Sequence, residues 1–113
     1  MYNYIALGSG QQGAALIGRG QFTVTNLQNG RIVHGVIFAD ARGDNDKDIE
    51  ISEALARNLG ILFSRTRFVY GYIDRNGQNK ECPVTIGAHF DGNLYMSDGK
   101  VLDTNGLDLR DLR

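Results

Sequence analysis

The chain contains two histidines, and both lie in stretches that read as strands. His34 follows the first Asn-Gly turn, and His89 lies near the end of a later apolar segment. An imidazole beside a carboxylate can act as a general base or acid. A strand that runs into the acidic segment 40–50 brings carboxylates within reach of such a ring. One hypothesis is therefore an enzyme that uses His34 or His89 with these carboxylates, and the alternative is a half-buried histidine bonded to a neighbour.

Motif spacing gives catalysis no further support. The sequence has no Ser-His-Asp order, no P-loop, no CxxC motif and no histidine pair at ligand spacing. Gly8, Gly10 and Gly13 form a GxGxxG pattern, but Gly18 and Gly20 interrupt the helix that a dinucleotide site requires. We therefore expect a protein without a cofactor, and we favour a non-enzymatic function.

The acidic segment 40–50 is the strongest candidate for a charged contact surface. Asp44, Asp46 and Asp48 alternate as calcium ligands do, but Ile49 occupies the position of the required glycine and Leu55 that of the bidentate glutamate. An EF-hand is excluded. A looser divalent-cation site stays as an alternative, because several carboxylates in one loop repel one another, and we assign no metal to the segment. The first half of the segment carries more carboxylate side chains than the N-terminus of one helix requires. The sequence predicts a binding surface formed by Asp40, Arg42, Asp44 and Asp46.

Three aromatic residues alternate along the segment 61–74 and offer a second interpretation. Phe68, Tyr70 and Tyr72 share one face of the expected strand. Such a row can stack the bases of single-stranded nucleic acid. Arg65 and Arg67 fall on the opposite face, however, and the net charge of the chain is −1. A core role for the aromatic face is therefore favoured over a nucleic-acid site.

Length and composition indicate one globular domain spanning residues 1–113. Hydrophobic residues make up 42% and charged residues 22% of the chain, which is ordinary for a folded domain. No apolar run reaches the roughly 18 residues of a membrane helix. Cys82 is the single cysteine, so no internal disulfide can form. We expect a cytoplasmic protein that does not bind membranes.

One helix is expected, over residues 48–60. Ile51, Leu55 and Leu59 recur every four residues and form a narrow apolar stripe. Asp48 is the expected N-cap and Gly60 the residue that ends the helix. Glu53 and Arg57 are spaced to form an i,i+4 ion pair on its exposed side.

Turn signals predict that the remainder is built from hairpins. Five Asn-Gly or Asp-Gly pairs suit type I′ turns between antiparallel strands. They predict a hairpin of strands 21–27 and 31–40, and a long strand 61–74 that pairs with 78–90. Short strands at 93–97 and 100–102 then complete a meander. The spacing of Leu107, Leu109 and Leu112 predicts a final helical turn.

These observations predict an α+β fold, mostly antiparallel sheet with one central helix packed on one face. Both faces of strand 31–40 are largely apolar, which is more than one helix can cover. We therefore expect a small binding or inhibitory module that acts through protein–protein contacts, with self-association into a homo-oligomer as its simplest form. Nucleic-acid binding and an enzyme of unrecognised type stay as alternatives.

Overall fold

The computed structural model describes residues 2–8, 18, 22–42, 48–64, 69–81, 83–91 and 103–112. These segments form one short helix and nine strands. The strands are β1 Tyr4–Gly8, β2 Phe22–Asn26, β3 Ile32–Arg42, β4 Asp48–Ile51, β5 Ile61–Ser64, β6 Val69–Ile73, β7 Asn79–Glu81, β8 Thr85–Phe90 and β9 Asp103–Leu112, and the helix is α1 Glu53–Asn58. The described part of the protein is thus mostly β with one short helix, as the turn signals indicate.

Six strands close into a barrel in the order β1-β3-β2-β8-β9-β4. The barrel replaces the predicted hairpin meander, because β1 pairs with β3 in parallel and β4 pairs with β9 in parallel. Parallel neighbours require long connections, which short turn motifs do not report. Inside the barrel, the ring of Phe22 lies 5.4 Å from that of Phe38 and 5.2 Å from that of Phe90. These three fully or almost fully buried rings fill the centre of the core.

The first predicted hairpin is confirmed, since β2 and β3 pair antiparallel around Asn29-Gly30. Its loop is longer than a type I′ turn, because Gly30 N donates to Asn26 O at 2.8 Å and Asn26 N to Arg31 O at 2.9 Å. Residues 27–30 thus connect the strands, and the turn type was predicted wrongly. The pairing of β1 with β3 joins residues that are far apart in the sequence, and no turn signal predicted it.

A second, three-stranded sheet has the order β5-β6-β7. The predicted long strand 61–74 is therefore wrong, because β5 and β6 are separate strands that pair with each other antiparallel. The partner segment 78–90 is likewise divided. β7 pairs with β6 across the Asn76-Gly77 turn, whereas β8 begins after Pro83 and joins the barrel.

The helix is half the predicted length. Residues 48–51 form β4 instead, with Ile49 and Ile51 buried in the alternation of a strand. Ser52, not Asp48, is the N-cap, and its Oγ accepts from Leu55 N at 3.2 Å. The C-terminal features are confirmed: Gly60 has the left-handed φ of +66° that glycine adopts most readily, and Arg57 lies 3.9 Å from Glu53. Among the described segments, none is a helix with the length and apolar character needed to cross a membrane.

The C-terminal segment is strand β9, so the predicted helical turn is wrong. Ile49 pairs with Leu109 and Ile51 with Leu112, with a bulge between them. The extra residue lets Leu109 and Leu112 both pack against the core, although three positions separate them. Because of the bulge, Leu109 and Leu112 have the spacing that is also typical of one face of a helix.

Two buried asparagines join the barrel to the helix and the second sheet. Leu59 O, at the end of α1, accepts from Asn26 Nδ2 at 2.9 Å and from Asn29 Nδ2 at 3.0 Å. The Asn29 amide also donates to Ile73 O at 2.9 Å, at the end of β6. The β2–β3 loop thus satisfies carbonyl groups of two other elements, a requirement for buried backbone.

Candidate functional site

A bulge in β3 determines where His34 lies. Phe22 pairs with Val36 and Val24 with Val33, so Thr23 lies opposite both His34 and Gly35. Gly35 has a φ of +69°, the left-handed conformation found in bulges that contain glycine. Val33 and Val36 consequently both face the core, and His34 is exposed outside the barrel. Simple alternation along a regular strand would place His34 on the same face as Val36.

Strand β8 brings the second histidine to the same place. Thr23 of β2 pairs directly with His89, and Asp91 follows the end of β8. Phe22 and Val24 point inward, so the alternation of β2 turns Thr23 outward between the two histidine-bearing strands. We call Thr23, His34, His89 and Asp91 the polar network.

The hydroxyl of Thr23 links two members of the polar network. It donates to Asp91 Oδ2 at 2.5 Å and lies 2.9 Å from His34 Nδ1. A hydroxyl carries a single proton, so a hydroxyl that donates to Asp91 must accept from His34. This arrangement requires the His34 tautomer with a proton on Nδ1. The resulting chain runs from imidazole to hydroxyl to carboxylate.

The other oxygen of the same carboxylate faces the second imidazole. His89 Nε2 lies 3.6 Å from Asp91 Oδ1, and the two side chains are 52% and 44% exposed. The contact is an ion pair only when the imidazole is protonated. Because solvent reaches both groups, this contact adds little to stability. It does hold a nitrogen and an oxygen ligand side by side at the barrel surface.

The polar network lies on a face of the barrel with an unusual composition. β2, β8 and residues 32–39 of β3 contain no Lys, Arg, Asp or Glu. The outward residues of these three strands include a half-exposed isoleucine, Ile32, with 54% of its surface accessible. We call this surface the outer face, and it comprises Thr23, Thr25, Ile32, His34, Thr85 and His89.

The arrangement differs from that of a nucleophile triad. In a triad the carboxylate orients the imidazole and the imidazole accepts the proton of the hydroxyl. Here the carboxylate of Asp91 accepts from the hydroxyl of Thr23 itself. The network can donate and accept hydrogen bonds and transfer protons. Within the part of the chain that the structure describes, no group of three or more His, Cys, Asp or Glu is placed to hold a metal ion.

The predicted acidic surface lies mainly outside the described residues. Asp44 and Asp46 are not among them, Arg42 is described only as the last residue of β3, and Asp40 is half-buried on the same strand. The carboxylate that the structure places beside His89 belongs to Asp91. A contact surface at Asp40, Arg42, Asp44 and Asp46 stays a prediction.

The predicted aromatic face is only partly described, since Phe68 lies outside the described residues. Tyr70 and Tyr72 are half-buried and pack against the core. The ring of Tyr70 also lies 4.8 Å from that of Phe63 on the neighbouring strand. The structure therefore brings these two tyrosines into contact with the core and with β5. It does not bring them to the polar network.

Sequence reasoning missed Thr23 and Asp91. One available signal was Gly35, because an isolated glycine within a strand pattern suggests a bulge. The pairing of β2 with β8 had no such signal, since Thr23 and Asp91 are 68 positions apart. Comparisons of the chain with known protein families, with curated proteins and with solved structures found no match.

Proposed function

We propose that the protein is a binding module that associates with a second copy of itself through the outer face. The observation that carries the proposal is the absence of charged residues from β2, β8 and residues 32–39 of β3, on a face that exposes Ile32. Depletion of charged residues is the compositional sign of the centre of a protein–protein interface. A water-exposed strand face more often carries charged side chains.

The shape and charge of this face support a second copy as the partner. A barrel strand face is broad, whereas small molecules bind in concave pockets. In a symmetric dimer the same surface patch of both chains forms the interface, so a face with charges of one sign would place like charges together. The six residues of the outer face include no Lys, Arg, Asp or Glu and so avoid this repulsion, with the carboxylate of Asp91 beside them and bonded to Thr23. The net charge of −1 adds little at longer range.

The test places one positive charge on the outer face. Wild-type protein, Ile32→Arg and Tyr2→Arg are compared by sedimentation velocity from about 1 to 100 µM with EDTA present. Tyr2 is the matched control, because it is 60% exposed and precedes β1, the neighbour of β3, at the rim of the outer face, where an interface tolerates charge. We expect wild type and Tyr2→Arg to dimerise and Ile32→Arg to bind at least about tenfold more weakly, since a charge at an interface is costly to desolvate.

Urea unfolding separates loss of association from loss of folding, because Ile32 is exposed and its replacement leaves the core intact. A wild-type chain that is monomeric throughout the concentration range would contradict the proposal. Equal weakening by both arginine substitutions would contradict it as well, because the effect would then reflect net charge alone.

A further inference from the structure

We infer that His89 and Asp91 form half of a zinc site, which a second copy of the chain completes. The observation is the facing pair of ligand atoms, His89 Nε2 and Asp91 Oδ1, at 3.6 Å on the barrel surface. Imidazole nitrogen and carboxylate oxygen are both common ligands of Zn²⁺. Both side chains are about half exposed, so an ion can reach them from solvent.

The separation of the two atoms fits one metal centre. Zinc binds nitrogen and oxygen at about 2.0 to 2.2 Å, and tetrahedral geometry then places two ligand atoms about 3.4 Å apart. The observed 3.6 Å is close to that value. An ion between the two atoms would also replace a weak, solvent-screened contact with two coordinate bonds. Little movement of either side chain is needed.

The remainder of the polar network holds the carboxylate in position. Thr23 donates to Asp91 Oδ2 at 2.5 Å, which leaves the Oδ1 side of the carboxylate directed at His89. The contact of Thr23 with His34 Nδ1 at 2.9 Å fixes the hydroxyl in turn. Such hydrogen bonds to a ligating carboxylate orient it and raise metal affinity. Thr23 and His34 are therefore positioning residues, and His89 and Asp91 are the ligands.

A second copy supplies the missing ligands. Zinc sites that hold structure together use four protein ligands. One chain offers two here, and the described residues contain no group of three suitable side chains. A two-fold axis through the metal brings the same pair from a second chain and gives a site of two histidines and two aspartates. This inference rests on the proposed function for the identity of the partner, a second copy bound through the same side of the barrel.

The experiment titrates the full chain with ZnCl₂ at pH 7.5 and follows mass by sedimentation velocity and stoichiometry by calorimetry. We expect one Zn²⁺ per two chains and a dimer at least about tenfold tighter with zinc than in EDTA, with the added affinity lost when EDTA removes the metal. Asp91→Asn and His89→Ala should each weaken zinc binding about 100-fold. Thr23→Val should weaken it about tenfold, because the carboxylate loses its hydrogen bond.

Asp108→Asn is the matched control, since Asp108 is an exposed carboxylate on β9 outside the polar network. It should bind zinc as wild type does. Co²⁺ in place of Zn²⁺ provides a visible absorption spectrum that reports tetrahedral coordination.

Three results would overturn the inference: no zinc binding beyond that of Asp91→Asn, one Zn²⁺ per chain without dimerisation, or unchanged binding in both ligand variants. A dimer that persists in EDTA and is indifferent to zinc overturns the metal bridge and supports the proposed function. A chain that is monomeric in EDTA and dimeric with zinc does the reverse, so the two proposals fail separately.

Discussion

Replacement of Asn29 should remove the hydrogen bonds that hold the β2–β3 loop to two other elements. Asn29 is only 7% exposed, and its side chain makes three hydrogen bonds. Its Nδ2 donates to Leu59 O at 3.0 Å and to Ile73 O at 2.9 Å, and its Oδ1 accepts from Arg31 N at 2.9 Å. These bonds connect the barrel with the end of α1 and with β6.

The expected cost follows from the number of bonds. A typical intramolecular hydrogen bond contributes about 1 kcal/mol, so Asn29→Ala should lower the free energy of unfolding by about 3 kcal/mol. Asn29→Asp should cost about 3 to 5 kcal/mol, because a carboxylate would face two carbonyl oxygens in a buried site. With a urea m-value of about 2 kcal/mol/M, a loss of 3 kcal/mol lowers the unfolding midpoint by about 1.5 M.

Asn76→Asp provides the matched control, because Asn76 also precedes a glycine in a hairpin loop but is exposed. This variant should stay within about 0.5 kcal/mol of wild type. Equilibrium urea unfolding, followed by circular dichroism, measures all three variants. The reasoning would be refuted if Asn29→Ala cost less than about 1 kcal/mol, or if Asn76→Asp were as destabilising as Asn29→Asp.

Two further substitutions test the second sheet and the helix. A Cβ added at Gly71 would lie 2.3 Å from Lys80 O, so Gly71→Ala should detach β7 and remove the amide-exchange protection of Asn79–Glu81. Lys80→Ala is the control and should keep this protection. Protection that survives in Gly71→Ala would contradict the expectation. Ser52 Oγ accepts from Leu55 N and from Tyr4 N, the latter at 3.1 Å. Ser52→Ala should therefore lower the free energy of unfolding, measured by urea denaturation, by about 2 kcal/mol. A loss under about 0.5 kcal/mol would show that neither hydrogen bond contributes to stability.

Features that depend on neighbouring residues were predictable from the sequence. The β2–β3 hairpin follows from Asn29-Gly30 between two apolar segments, and the end of the helix follows from Gly60. The pair of Glu53 and Arg57 follows from helical spacing alone. In each case the deciding interaction spans four residues or fewer, or a single loop.

The helix start shows how two local patterns compete. Ile51 has a helical spacing to Leu55 and Leu59, but it also alternates with Ile49 as in a strand. Tertiary pairing decides between them, because β4 lies between β1 and β9 in the closed barrel. Ser52 then caps the helix where β4 ends. Propensity alone could not have chosen Ser52 over Asp48, since both residues are good N-caps.

The polar network required information that the sequence expresses only weakly. Regular alternation along β3 would place His34 among the core residues Val36 and Phe38, and the bulge at Gly35 moves it outside. Thr23 meets His34 across the β2–β3 hairpin, whereas His89 and Asp91 join the network through the pairing of β2 with β8, which are distant in the chain.

The pairing of strands in the closed barrel brings the four residues of the polar network together. His34, Thr23 and His89 lie on three adjacent strands, and Asp91 follows the third. A short loop joins β2 and β3, but no short loop joins either strand to β8, so the distance from Thr23 to His89 depends on the register of β2 against β8. A substitution that shifted the β2–β8 register by one residue would turn Thr23 away from His89 without altering any residue of the network. The network is therefore a property of the closed barrel, and zinc affinity would report the register of β2 against β8, although β2 carries no zinc ligand.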